Sequence, residues 1–299
     1  MTTILCLGAA SIDIIGVSAS AWLAKDSNPG SIQIAVGGVA TNIALNLTRL
    51  GLHPTLLSVR AKGMFADAID RELRQSGLDM ARFVDSSREA PLFVGLHQQN
   101  GVLEAALNDF EAMADLTADR VFAALSDFGP IDVAILDANL PAETIDAFLQ
   151  KYPTTKIFAD GVSRTKVLKF LPHLSRIDLL KINRHELGAL LNRNADDIIL
   201  AARELLNRGV KQMIVTNGGE PISYNIGRSI YQTVVFEAEH KVSTLGCGDA
   251  LFAGTIYGVL QGKSMHEAVN YGKKAASLTM EVVGATNPSL CRELIENDR

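Results

Sequence analysis

Cysteine is scarce: Cys6, Cys247 and Cys291 lie far apart with no CxxC pair, which excludes a disulfide framework or zinc knuckle and points to a reducing cytoplasm. No stretch supplies the ~20 uninterrupted apolar residues of a membrane span. The apolar start MTTILCLGAASIDIIGVSA lacks a basic leader and is broken by Asp13, so it reads as a buried first strand and not as an export signal. With a formal net charge of -5 and no basic block or Arg/Lys stripe interleaved with aromatics, the sequence carries no footprint for nucleic acid. A small-molecule partner is expected. The six histidines lack metal-ligand spacing and no cysteine has a visible base partner, so neither a metal cluster nor a cysteine nucleophile is expected. Tandem repeats, low-complexity segments and Pro/Ser-rich linkers are missing too, and residues 1–299 read as a single domain.

What is present describes a globular chain: 47% hydrophobic and 20% charged residues, enough to bury a substantial core. Short apolar runs recur at ILCLG (4–8), PTLLSV (54–59), VAILDA (133–138), KIFAD (156–160), LLKIN (179–183) and QMIVTNG (212–218). Such runs suit strands buried on both faces. Helical patterns lie between them, as in TNIALNLTRLG (41–51) and DIILAARELLNRG (197–209), each closed by a glycine suited to a helix C′ position. Strand and helix alternate, so a largely parallel α/β sheet is expected. Segments near 12–18, 31–37 and 88–107 break this rhythm, the last around an Asn100-Gly101 hairpin signal, and read as a small β appendage.

Ligands of doubly wound sheets bind outside the carboxyl ends of the strands. That rule selects Asp13, Asn139, Asp160, Asn183 and Thr216. In VSTLGCGDALFAG, the turn Gly246-Cys247-Gly248 precedes a helix, where backbone N–H groups would bind an anion and Asp249 would accept a proton from an attacking hydroxyl. The same fragment also reads as a glycine turn with an Asp cap. In GGVATN, paired glycines including Gly38 admit a close ligand and Asn42 offers an amide to a sugar hydroxyl; an ordinary loop and amphipathic helix is the other reading. Asn183 and Glu186 in NRHE read either as a hydrated Mg²⁺ and phosphate site or as a capping box. Thr216 and Gly218 in TNGGEP suit a nucleotide or a tight turn. GCGDAL lacks the third glycine of a dinucleotide fingerprint, and GVLQGKS is one residue short of a Walker A loop and follows a helix.

In this order, Asp13, GGVATN, NRHE, TNGG and TLGCGDALFAG resemble the ribokinase-like (PfkB) family of sugar and nucleoside kinases over essentially the whole chain. LDANLP, DGVSRTK followed by LLKINRHEL, and NDFEAM look like its pseudouridine kinase branch. The resemblance implies a three-layer α/β/α domain with a mostly parallel central sheet, a small β-sheet lid and transfer of the ATP γ-phosphate to a primary hydroxyl. By position it implies Asp249 as the catalytic base and Gly246, Cys247 and Gly248 as the anion hole. Asn183 and Glu186 would organise Mg²⁺ and phosphate, Glu186 reaching the metal through water. Thr216 and Gly218 would line the ATP site, and Asp13, Gly38 and Asn42 would hold ribose hydroxyls. Asn139 and Lys166 are further substrate candidates. A homodimer through the lid and potassium activation are compatible expectations. Cys247 stands for the family's usual alanine, Thr41 for an arginine common in related nucleoside kinases, and Pro221-Ile222 for a later glycine. The alternative of another class is a noncatalytic sugar- or nucleoside-binding regulatory protein, which would not need the base.

Overall fold

The computed structural model describes residues 2–297 except 79, 81 and 101. Strands β1 (Ile4–Leu7), β2 (Ser11–Ser18) and β3 (Gly30–Gly37) lead into helix α1 (Val39–Arg49). Then come β4 (Thr55–Leu57), β5 (Val59–Lys62), α2 (Met64–Gln75), β6 (Val84–Glu89), β7 (Leu92–His97), β8 (Leu103–Asp109) and α3 (Ala118–Ala124). Alternation follows: β9 (Val133–Asp137), α4 (Ala142–Lys151), β10 (Lys156–Asp160), β11 (Leu179–Asn183), α5 (Arg184–Leu191), α6 (Ile198–Asn207) and β12 (Met213–Thr216). The hairpin β13 (Ile222–Ile226) and β14 (Ser229–Thr233) precedes α7 (Cys247–Leu260), α8 (Met265–Met280) and α9 (Arg292–Glu296).

The large sheet has the order β14-β13-β12-β11-β10-β9-β1-β4. From β12 to β4 every pairing is parallel, whereas β13 and β14 extend it as antiparallel strands. Side chains alternate across a strand, and here both faces are covered. Leu5, Leu7, Ala134 and Leu136 enter one core with Phe148, Leu187 and Leu205, while Ile4, Cys6, Val133 and Ile135 enter the other with Ile43, Phe252 and Val269. That double burial explains the unbroken apolar runs. No helix among the described residues is long and apolar enough to cross a membrane.

A separate four-stranded sheet has the order β3-β2-β7-β8, spanning 11–18, 30–37, 92–97 and 103–109. Strands β7 and β8 form the expected hairpin, although Gly101 of its turn lies outside the described residues. Residues 88 and 89 belong instead to β6, which pairs with β5 in a two-stranded sheet. One row of the lid joins Ile34, Ile14, Val94 and Leu107 as register partners, and the adjacent row, on the opposite face, joins Ala35, Asp13, Phe93 and Asn108.

Candidate active site

The start of α7 is shaped by Gly246, the N-cap, held in the left-handed region at φ 71. A Cβ there would collide with the Ala285 carbonyl, so the turn is closed to any larger residue. No side chain caps the helix. Asp249 stands three residues beyond the cap and turns away from its own backbone: its Oδ2 accepts a hydrogen bond of 2.8 Å from Asn42 Nδ2 of α1. The capping reading of Asp249 is thereby corrected. The N–H groups of Gly248 and Asp249 have no acceptor among the described residues, leaving an anion-binding edge.

Below this turn, Asp137, Asp160 and Lys181 are register partners across β9, β10 and β11. Lys181 Nζ pairs with Asp160 Oδ2 at 2.9 Å. A Cβ built on Gly248 would lie 2.9 Å from Lys181 Nζ, which places the ammonium directly under the anion turn. Burial alone would lower the Lys181 pKa, but Asp160, Asp249 and Glu186 outweigh it and hold the group above its usual range. Burial pushes the Asp249 carboxyl up to about 7, with Lys181 opposing and Asp160 adding to the rise. A carboxylate with that pKa is poised for proton transfer near neutrality.

Asp13 on β2 is buried, and burial pushes its carboxyl up to about 6 against the bond from Ser11. A side chain at Gly37 would overlap this carboxylate, so glycine is required for the close approach of β3. Gly38 is the N-cap of α1. Asn139 and Lys166 meet each other, Lys166 Nζ donating to Asn139 Oδ1 at 2.6 Å and lying 4.2 Å from the centroid of the Phe110 ring. Burial lowers the Lys166 pKa. Asp137 joins these parts: fully buried, it accepts from the N–H groups of Ala9, Ala40 and Asn139 at 2.9, 3.0 and 2.8 Å.

Asn183 and Glu186 form a complete capping box at α5. Asn183 Oδ1 accepts from the Glu186 N–H at 2.9 Å, and Glu186 accepts from the Asn183 N–H at 2.9 Å and from Nδ2 at 2.6 Å. Burial pushes Glu186 up to about 7, Lys181 opposing. No group of three His, Cys, Asp or Glu among the described residues is arranged to hold a metal by itself. A hard cation that keeps most of its waters and binds phosphate oxygens needs few protein carboxylates, and Glu186 is the candidate for that contact.

Thr216, Gly218, Phe236, Cys247, Gly248 and Met280 line one cavity of about 770 Å³. It therefore joins the TNGG loop to the anion turn. Burial pushes the Cys247 thiol up to about 12, so this side chain is an unreactive part of the cavity wall.

Sequence reading passed over Lys181, hidden in an apolar strand, and Asp137, an acid inside the run VAILDA. It also missed Asn46, fully buried one turn beyond Asn42 with neither side-chain polar atom bonded. An acid or base embedded in a run buried on both faces is the signal that could have found the first two.

The chain matches the family described as pfkB family carbohydrate kinase over residues 1–291. It is 26% identical over 293 residues to the pseudouridine kinase of Escherichia coli (strain K12), covering 96% of this chain and 93% of that one. A carbohydrate kinase from Agrobacterium tumefaciens superposes with a TM-score of 0.78 at 26% identity, covering 99% of this chain and 96% of the other. A ribokinase from Cryptococcus neoformans var. grubii serotype A in complex with ADP shares the fold at a TM-score of 0.81 and 16% identity, covering 99% of both chains. The family match spans nearly the whole chain and the fold likeness accords with it, so the chain belongs to the pfkB family of carbohydrate kinases.

Proposed function

We propose that this sugar or nucleoside kinase transfers the γ-phosphoryl group of ATP to the primary hydroxyl of a nucleoside, with the 5′-hydroxyl of pseudouridine as the acceptor. One observation carries the reading: a buried carboxylate, oriented by Asn42, stands at an uncapped helix start that also walls the 770 Å³ cavity. Base, anion edge and donor cavity meet at one turn, the arrangement phosphoryl transfer requires.

In this mechanism Asp249 accepts the proton of the attacking hydroxyl. The Gly246, Cys247 and Gly248 backbone and the Lys181 ammonium stabilise charge on the transferring group. Thr216 and Gly218 bind the nucleotide, and Asn183 orients Glu186. Glu186 would hold Mg²⁺ through water, and that ion would neutralise phosphate charge when bound. Asp13, Gly38 and Asn42 hold ribose hydroxyls, and the Asn139–Lys166 pair closes the far side. Phe93 and Asn108 share Asp13's row on the lid, which supports an acceptor with a planar base beyond its ribose. Ribose or a sugar phosphate is the second reading, supported by the likeness to ribokinase.

The test is ADP release with pseudouridine, uridine, adenosine, ribose and fructose phosphates as acceptors. The reading expects the highest kcat/KM with pseudouridine. Preference for a plain sugar overturns the substrate, and tight binding without turnover of any acceptor overturns the kinase in favour of a binding protein. Ile32, Ile34 and Leu107 are 74%, 61% and 75% exposed. This apolar lid surface supports a homodimer, and Ile34→Glu should yield monomers in sedimentation analysis. Potassium activation is tested in the same kinase assay by replacing K⁺ with Na⁺.

A further inference from the structure

Lys273 of α8 is only 5% exposed, yet no carboxylate pairs with it among the described residues. Its Nζ donates to Thr233 Oγ1 at 2.8 Å, at the end of β14, and to Asn270 Oδ1 at 3.3 Å. The same ammonium lies 4.0 Å from the centroid of the Phe236 ring. Burial lowers its pKa, and a cation removed from water without a counter-ion is expensive to keep. An aromatic face partly offsets that cost, and a desolvated cation–π pair is stronger than an exposed one.

The position explains the arrangement. Lys273, Ala276 and Met280 follow the i, i+3, i+7 spacing of one helix stripe, and Ala276, Met280 and Phe236 all line the nucleotide cavity. Residues 234–246, which connect β14 to the anion turn, contain no helix or strand. Helix α8 fastens this connection at three places: Lys273 at its start, Ser277 Oγ donating to the Glu237 carbonyl at 3.0 Å, and the Met280 carbonyl accepting from the Val242 N–H at 2.8 Å. At the C-cap of α8 the Glu281 carboxylate also accepts from the Glu239 N–H at 2.9 Å, but Lys273 alone among these brings a positive charge against an aromatic ring.

We infer that Lys273 is a positioning residue of the donor site: it holds Phe236 in place as the wall against which the purine base of the nucleotide rests. The inference depends on reading the cavity as the ATP site. A cation held 4.0 Å from the ring centroid restrains the ring's position, and a purine offers such a ring more stacking area than a pyrimidine.

Calorimetric titration with ADP and steady-state kinetics with ATP and UTP test it. Lys273→Met keeps the aliphatic stem and should weaken ADP binding about five- to tenfold. It should leave kcat at saturating ATP within about twofold and the acceptor KM unchanged, and it should narrow the preference for ATP over UTP. Lys273→Arg, which keeps the charge, should restore most of the affinity. Phe236→Leu, at a half-buried loop position, should reproduce the defect, and the double variant should add nothing further. Wild-type ADP affinity and an unchanged ATP preference in Lys273→Met and Phe236→Leu would overturn this inference alone. Absence of ADP binding by the wild-type protein would overturn the cavity reading and the inference together.

Discussion

Helices α5 and α7 begin close together, since α5 follows β11 directly and Lys181 of β11 lies beneath Gly248 of α7. At α5 the exposed N–H groups are satisfied from within the chain by Asn183, while Glu186 returns to the Asn183 backbone. At α7 the cap is a glycine, and the carboxylate three residues beyond it is held by Asn42 on a different helix. Helix α8, with its Ser264 and Glu267 box, repeats the α5 solution. The starts of α5 and α8 are closed by their own side chains, whereas α7 leaves the N–H groups of Gly248 and Asp249 without an acceptor among the described residues. On the proposed reading, a cap and a phosphate cradle differ in where the acceptor comes from, although Asp or Glu stands three residues beyond the cap in all three.

Replacing the carboxylates separates these cases. Asp249→Asn should lower kcat at least ~100-fold, the lower range for loss of a general base, with little change in ATP affinity. Near-normal turnover would reduce α7 to an ordinary helix start. Lys181→Met should cost about 10- to 100-fold in kcat by removing charge under the anion turn. Since Lys181 draws the Asp249 pKa down, this variant should also move the acid limb of the kcat/KM profile from near pH 7 to higher pH. An unmoved limb would mean that the two groups are not coupled.

Smaller effects are expected at α5. Asn183→Ala removes a side-chain cap and should cost ~1 kcal/mol of stability, read as a lowered midpoint in thermal or denaturant unfolding. Asp249→Asn caps nothing and should cause no such loss. Its stability effect has the opposite sign at high pH. The Asp249 carboxyl rises from 3.8 to about 7 on folding, so its contribution is complete below about 4 and is lost as pH rises through 7. The unliganded enzyme should therefore melt lower at pH 8 than at pH 5.5, and Asp249→Asn should flatten that slope. A slope identical to wild type would show that Asp249 does not carry the buried charge.

Local chemistry made much of this legible. KIFAD and LLKIN coincide with β10 and β11 because both faces of those strands are covered. Asp249, Asn183 and Thr216 were visible because glycine turns and strand ends mark themselves in the sequence. The Asp160–Lys181 pair was not, because it depends on β10 and β11 lying side by side in a register that opposes those two positions. Periodicity within one strand cannot supply the alignment between two. The edge hairpin of β13 and β14 escaped for a related reason: ISYNI and SIYQT have mixed polarity, and their place is set by pairing with β12.

The bond between Asn42 and Asp249 joins positions 207 residues apart. In a chain made from its N-terminus, the residues of the lid and α1 are complete while Asp249, the proposed base, has not yet been synthesised. Closing so long a loop is entropically slow, and parallel sheets accumulate such closures. Under the proposed mechanism, the base therefore reaches its place only when α7 docks on α1.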